Sequence, residues 1–292
     1  MNKKLIVVTV AVVVLIAGGW YAYSKLGRQA SERPPVVSNW PTAPAEPPAA
    51  SKPSPGHAPA APTKEAVAPE AIFSLRPGET LLYDANIAKL NSTVARLKIV
   101  AVEKRNLGGR PSWHLQAFAN TENPYRMVFE LDDQFDSYSD AETMVSRQYE
   151  MHLSERGQKA DSVQKMMPSV QNAPPAGMSV ALVLPGTRDP LGMLNYLRGI
   201  DWNTTHEVHS PVYDGHKMYD VRAKQVSRAQ PVTVPAGSFK AMKIELRVFE
   251  NGAEMKDAHF LLYLTNDERR LPVLLEAVLP FATARVELRQ AQ

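Results

Sequence analysis

The chain has 292 residues, 44% hydrophobic and 22% charged, proportions ordinary for a folded protein of one or two domains. It has no cysteine, which excludes disulfides, thiolate metal sites, a cysteine nucleophile and a lipidated N-terminal cysteine. The net charge of +3 resides in residues 1–70, because residues 71–292 carry 26 basic and 26 acidic side chains. A neutral domain of mixed charge offers no electrostatic footprint for nucleic acid.

Residues 1–4 are a short basic start, with Lys3 and Lys4. Residues 5–23 then run without a charge, LIVVTVAVVVLIAGGWYAY. As a helix this spans roughly 28 Å, close to the hydrocarbon thickness of a bilayer. Trp20, Tyr21 and Tyr23 sit at the far end, where amphipathic rings favour the interface. The expected arrangement is a single-pass anchor in the bacterial inner membrane, N-terminus cytoplasmic, with the rest of the chain in the periplasm. A cleaved signal peptide is the alternative, with small residues Ala22 and Ser24 before Lys25; the neighbouring aromatics make that a poor cut site. Either reading exports the remainder.

Residues 24–71 form a Pro/Ala-rich linker. Of the 24 prolines, 11 fall between Pro34 and Pro69, and Trp40 is the one large residue of the stretch 31–70. Such a segment cannot bury enough apolar surface to offset its ordering entropy, so it is expected to be a disordered tether. At ~3.1 Å per residue, forty residues reach at most about 120 Å.

From 72 to 292 the dominant signal is alternation. In Phe239–Glu250, Met242, Ile244, Leu246 and Val248 share one face, and Lys243, Glu245 and Arg247 the other. Ser92–Glu103, Trp113–Ala119 and Pro280–Arg289 behave similarly. Leu107–Pro111, Pro235–Ser238 and Asn251-Gly252 read as turns, the last as a hairpin signal. His259–Thr265 and Pro272–Leu279 read as a further strand pair. Short strands with tight connections predict an antiparallel sandwich or barrel. Two stretches read as helix. Asp189-Pro190 opens the first, with an apolar stripe of Leu191, Leu194 and Leu197 and a stop at Gly199. The second is Gln158–Val170.

Candidate chemistry is sparse. His206, His209, His216 and Asp214 could in principle hold zinc, but His206 and His209 would fall on opposite faces of a strand, and solvated histidines are the plainer reading. Asp132, Asp133, Asp136 and Asp140 lack the glycine and terminal glutamate of a calcium loop and read as a polar strand end or turn. The sharpest polar cluster is Asn266, Asp267, Glu268, Arg269 and Arg270. It is either a turn whose charges cross-pair and fix register, or a contact for an anionic ligand or partner at a barrel rim. No phosphate loop and no nucleophile elbow is present. No catalytic residue, metal ligand or cofactor is assigned.

VPAGSFKAMKIE at 234–245, LYLTNDERRLPVLLEAVLPF at 262–281 and RVEL at 285–288 resemble the bacterial envelope domain-of-unknown-function family three-one-zero-eight. PGETLLYDA at 77–85, DPLGMLNYLR and HKMYDVRA at 216–223 also fit, so the resemblance covers about residues 72–292. Asn266 stands where a second acidic residue is usual, and Ala282 where glycine is common. The resemblance implies an exported domain built as a partly open antiparallel β-barrel wrapped around one or two helices, similar to periplasmic lipoprotein carriers. It implies no activity. The expected function is therefore a non-enzymatic binding module for a lipid or other amphiphile, marked by an enclosed apolar cavity. The alternative is a tethered scaffold docking another envelope protein complex, marked by a large exposed apolar patch.

Overall fold

The computed structural model describes residues 74–88, 92–168, 179–278 and 283–292. The expected anchor (5–23) and tether (24–71) lie outside the described residues. Among the described residues no helix is long and apolar enough to cross a membrane.

Thirteen strands form one continuous sheet. In chain order they are β1 (Glu79–Ile87), β2 (Thr93–Leu107), β3 (Arg110–Thr121), β4 (Asp132–Asp140), β5 (Ser146–Glu155), β6 (Gln158–Pro168), β7 (Val180–Val183), β8 (Glu207–Tyr213), β9 (Met218–Val234), β10 (Gly237–Glu250), β11 (Ala253–Thr265), β12 (Pro272–Val278) and β13 (Thr283–Ala291). The sheet order is β7-β6-β5-β4-β3-β2-β1-β13-β12-β11-β10-β9-β8. Every neighbouring pair is antiparallel except β6 and β7. The edges β7 and β8 nearly meet. The chain leaving β7 donates from Arg188 N to Pro211 O (3.0 Å) and accepts at Arg188 O from Tyr213 N (2.8 Å). The result is a nearly closed barrel of mixed pairing.

Alternation explains the walls. On β1, Leu81, Tyr83, Ala85 and Ile87 are buried, and on β10 Met242, Ile244, Leu246 and Val248. Turn chemistry sets the registers. Gly108 and Gly109 (φ 61° and 83°) join β2 to β3, and Asn251 and Gly252 (φ 50° and 79°) join β10 to β11. Both positions being left-handed matches the strand twist of a two-residue hairpin.

The helix expected over Gln158–Val170 is a strand as far as Pro168; residues 169 and 170 lie outside the described residues. Residues 158–168 form β6, paired with β5 from Glu155↔Gln158 to Gln148↔Lys165. The Arg156-Gly157 turn (φ 51° and 78°) folds the chain straight back onto β5. That pairing overrides the helix propensity of Gln, Lys, Ala and Met.

The expected helix at 190 is present as α1 (Pro190–Gly199), the one α-helix among the described residues. Asp189 is the N-cap, its Oδ1 accepting from Leu191 N and Gly192 N at 2.9 Å each. The helix is buried on most of its circumference, Gly192, Asn195, Tyr196 and Arg198 included, because it lies inside the barrel. A Cβ at Gly192 would stand 2.8 Å from Ser146 Oγ and 2.9 Å from Ser139 Oγ, so only glycine lets the helix approach β4 and β5. Gly199 is the last helical residue rather than a left-handed stop, and the chain leaves extended at Ile200. The described residues share a single apolar core. The sheet nearly closes on this core, so the domain carries its own tertiary support.

Candidate functional site

A cavity of about 170 Å³ lies between α1 and the barrel wall. An engineered cavity of about 150 Å³ lined by apolar side chains stays dry and accepts benzene, so this one exceeds a packing defect. Pro190, Leu191, Met193, Leu194 and Leu197 form its helical side. That is about 10 Å of helix length. The opposite wall comes from the inward positions of β1, β2 and β9–β13, such as Ile99, Leu246, Leu262 and Val286. These are the apolar faces visible as alternation in the sequence.

Three lining side chains carry hydrogen-bonding groups: Tyr83, Asp214 and Tyr219. The Tyr83 hydroxyl is satisfied by Pro272 O at 2.9 Å. Burial pushes its ionisation well above the usual tyrosine range. Asp214 sits in the turn between β8 and β9. Its Oδ1 accepts from His216 N (2.7 Å) and Lys217 N (2.8 Å). Its Oδ2 is buried and accepts no hydrogen bond of ordinary geometry, although the Tyr219 hydroxyl interacts with the carboxyl. Burial drives the Asp214 carboxyl upward, opposed by those two backbone donors. Tyr219 is driven upward too, by burial first and then by the Asp214 charge.

The Asp214 end of the cavity is its mouth. The β8–β9 and β10–β11 turns come together there, joined by Lys217 Nζ to Glu250 Oε1 at 2.7 Å. Met255 lines the cavity while remaining 36% exposed. It lies on β11 within the break in register between the Phe249↔Glu254 and Arg247↔His259 pairs. On its outer side Met255 also borders a surface groove with Glu245, Arg247, Glu254, Lys256, His259 and Val278.

The other end is plugged. Arg198 near the end of α1 pairs with Glu79 of β1 at 2.8 Å, both side chains about 5% exposed (6% and 4%). The β11–β12 loop closes over them and contains the cluster singled out from sequence. Asn266 N donates to Lys240 O. Asp267 Oδ1 accepts from Thr265 Oγ1 (2.7 Å) and from Arg269 N and Arg270 N (3.0 Å each). Arg269 approaches Glu79 at 3.7 Å. Arg270, with left-handed φ of 44°, donates to the carbonyls of Arg198 and Ile200. The loop charges thus reach across to the end of α1 rather than to one another, and Arg270 caps carbonyls that the helix leaves unsatisfied.

The histidines do not converge. His206 and His209 are exposed, and His209 is 3.7 Å from Asp220. The acidic stretch is a strand throughout, not a strand end or turn. Asp132 pairs with Arg126, and Asp140 accepts from Arg147 and its own turn. Asp133 is buried, which pushes its carboxyl up to about 6. Asp136 accepts from His114 (2.6 Å), Gln116 and Gln134 (2.7 Å each). Asp136, Glu150 and His152 are the one group among the described residues whose ligand atoms approach metal-binding separation. Their atoms are engaged with protein groups, His152 Nδ1 with Asp161 at 2.7 Å among them.

Sequence reasoning named Asp214 only as a zinc candidate and missed Tyr219 and Met255. The Asp214-Gly215 dipeptide between two alternating runs signals a hairpin turn. It does not reveal that the turn lies buried against a cavity.

The family model described as "Protein of unknown function (DUF3108)" matches residues 82–289. No curated protein matches the chain. A β-barrel-like protein of the DUF1849 domain from Brucella abortus is 10% identical, with a TM-score of 0.49 over 74% of this chain and 97% of that one. A candidate lipoprotein from Parabacteroides distasonis is 12% identical, with a TM-score of 0.36 over 77% of this chain and 100% of that one. An exported protein of YmcC-like fold from Bacteroides fragilis, so described as a candidate, is 10% identical, with a TM-score of 0.31 over 76% and 99%.

Proposed function

We propose, for a chain that belongs to the DUF3108 family, that the barrel is a non-enzymatic binding module for a lipid or other amphiphile of the bacterial envelope. The observation that carries this is the cavity of about 170 Å³ whose walls are apolar apart from Asp214 and two tyrosines. Barrel mouths and interiors are common ligand sites, and an apolar cavity of this size favours an apolar guest over water. The volume suits a ring or a short alkyl segment, so the remainder of a longer amphiphile would extend past Met255. Residues 5–23 would hold the protein in the inner membrane, and the tether would confine the barrel near the bilayer that supplies the ligand.

The test is native mass spectrometry of residues 71–292 exported to the periplasm and purified without detergent. A retained adduct of lipid mass is expected. A clean apo mass, with no uptake from added envelope lipid extract, would sink the reading.

A further inference from the structure

We infer that Asp214 is the specificity-determining residue of the cavity, and that it selects an amphiphile whose head donates a hydrogen bond and carries no negative charge. This rests on the binding reading above and names its ligand class.

Asp214 is 3% exposed, and the two backbone donors of its own turn reach only Oδ1. Its Oδ2 accepts no hydrogen bond of ordinary geometry, although the Tyr219 hydroxyl interacts with the carboxyl. Buried acceptors left without a partner are rare in native proteins, and each calls for an explanation. Here the residue borders empty space, so a donor from outside the chain can complete it. Of the other two polar groups in the lining, the Tyr83 hydroxyl is already bonded to Pro272 O, and the Tyr219 hydroxyl stands beside Asp214 as part of the same polar spot.

The same geometry disfavours anionic heads. No cation lines the cavity, and Lys217, in the same turn as Asp214, is bonded to Glu250. A carboxylate or phosphate at this point would face the Asp214 carboxyl with no counter-ion in a low-dielectric site. A hydroxyl or an ammonium brings the missing donor without that repulsion.

The test uses the full chain in membrane vesicles and three photo-reactive probes. They share an octyl chain with a terminal diazirine and differ only in the head: alcohol, primary ammonium or carboxylate. Peptide mapping then reads labelling of the lining strands β10 and β11. The alcohol and ammonium probes are expected to label these strands at least about tenfold more than the carboxylate. In Asp214→Asn, ammonium labelling should fall about tenfold while alcohol labelling holds within about twofold, since an asparagine oxygen still accepts. The wild-type ranking of heads stands without the variant. Equal labelling by all three heads, as when water satisfies Oδ2, would overturn the inference and leave the binding reading intact. Absence of labelling in the lining with every probe would overturn both.

Discussion

At the plugged end of the barrel a buried carboxylate, Glu79, meets a buried guanidinium, Arg198, at 2.8 Å. At the mouth a carboxyl buried as deeply, Asp214, keeps one oxygen without a hydrogen bond of ordinary geometry. The plugged end surrounds its pair with further polar partners: Asn195 Oδ1 accepts from Arg198 Nη1, and the Arg269 guanidinium approaches Glu79. The mouth gives Asp214 two backbone donors on one oxygen and the Tyr219 hydroxyl nearby, and sets it in the wall of the cavity. Burial costs both ends desolvation; the plugged end offsets it with an ion pair inside the chain, although Arg198 Nε also lacks a hydrogen-bond partner there. Charge that is buried and paired belongs to the architecture. A carboxyl that is buried beside a cavity with no ion pair of its own points to something that arrives later.

The contrast is broken most directly at the plugged end. Arg198→Met strands Glu79 without its partner, and the expected loss is about 3–5 kcal/mol in urea unfolding. Replacing both, with Glu79→Leu added, should recover most of that loss, because an apolar pair avoids the desolvation of two charges. A double variant as unstable as the single one would show that the site depends on geometry the pair imposes.

A second test asks whether a buried carboxyl away from the cavity, without an ion pair, behaves as a liability. Asp133 is 2% exposed, accepts from Ser154 N, and is pushed up to about 6 by burial. Its folded value lies above the ordinary 3.8, so the folded protein holds the proton more tightly than the unfolded chain. Stability from this group is full below about pH 4 and is lost as pH rises through 6. Asp133→Asn should therefore gain about 2 kcal/mol over the wild type at pH 7 and little at pH 4. Parallel unfolding curves at the two pH values measure it. A difference independent of pH would remove burial as the cause.

Arg270→Ala sharpens the plugged end from the side of the loop. It removes the guanidinium from the carbonyls of Arg198 and Ile200 at the end of α1. A charge-assisted hydrogen bond to a buried acceptor suggests a loss of about 2 kcal/mol. Hydrogen exchange should show that loss first in the amides of the last turn of α1. A loss spread evenly over the barrel would instead make the loop a register device.

These residues also show what the sequence made legible. The strands were readable because the barrel has one wet face and one dry face, and side chains alternate with the pleat. The opening of α1 was readable because Asp189 and Pro190 act on their own neighbours. The strand at 158–168 was missed because its fate depends on β5 and on a turn, Arg156-Gly157, that was not recognised. The same limit applied to charge. Asp267 to Arg270 stood out as a cluster, but whether its arginines faced solvent, each other or a helix end is decided by the fold. Asp214 was visible as an acid beside histidines. The missing partner for its Oδ2 is a property of three-dimensional surroundings that spacing does not carry.

The smallest expected effect bears most on the comparison. Asp214→Asn keeps the oxygen that His216 N and Lys217 N require, and it removes a carboxyl whose ionisation burial opposes. Because the folded carboxyl titrates above its ordinary range, the wild type loses stability from this residue as pH rises. The variant should equal or exceed the wild type at pH 7, by up to about 1 kcal/mol in thermal unfolding. Glu79 offers no such gain, since the same kind of change there removes an ion pair. A residue whose replacement leaves the fold as stable or more stable is not retained for stability, and functional sites are where such costs persist. Destabilisation of Asp214→Asn at pH 7 would instead place Asp214 with Glu79, as a structural carboxylate whose second partner is an ordered water.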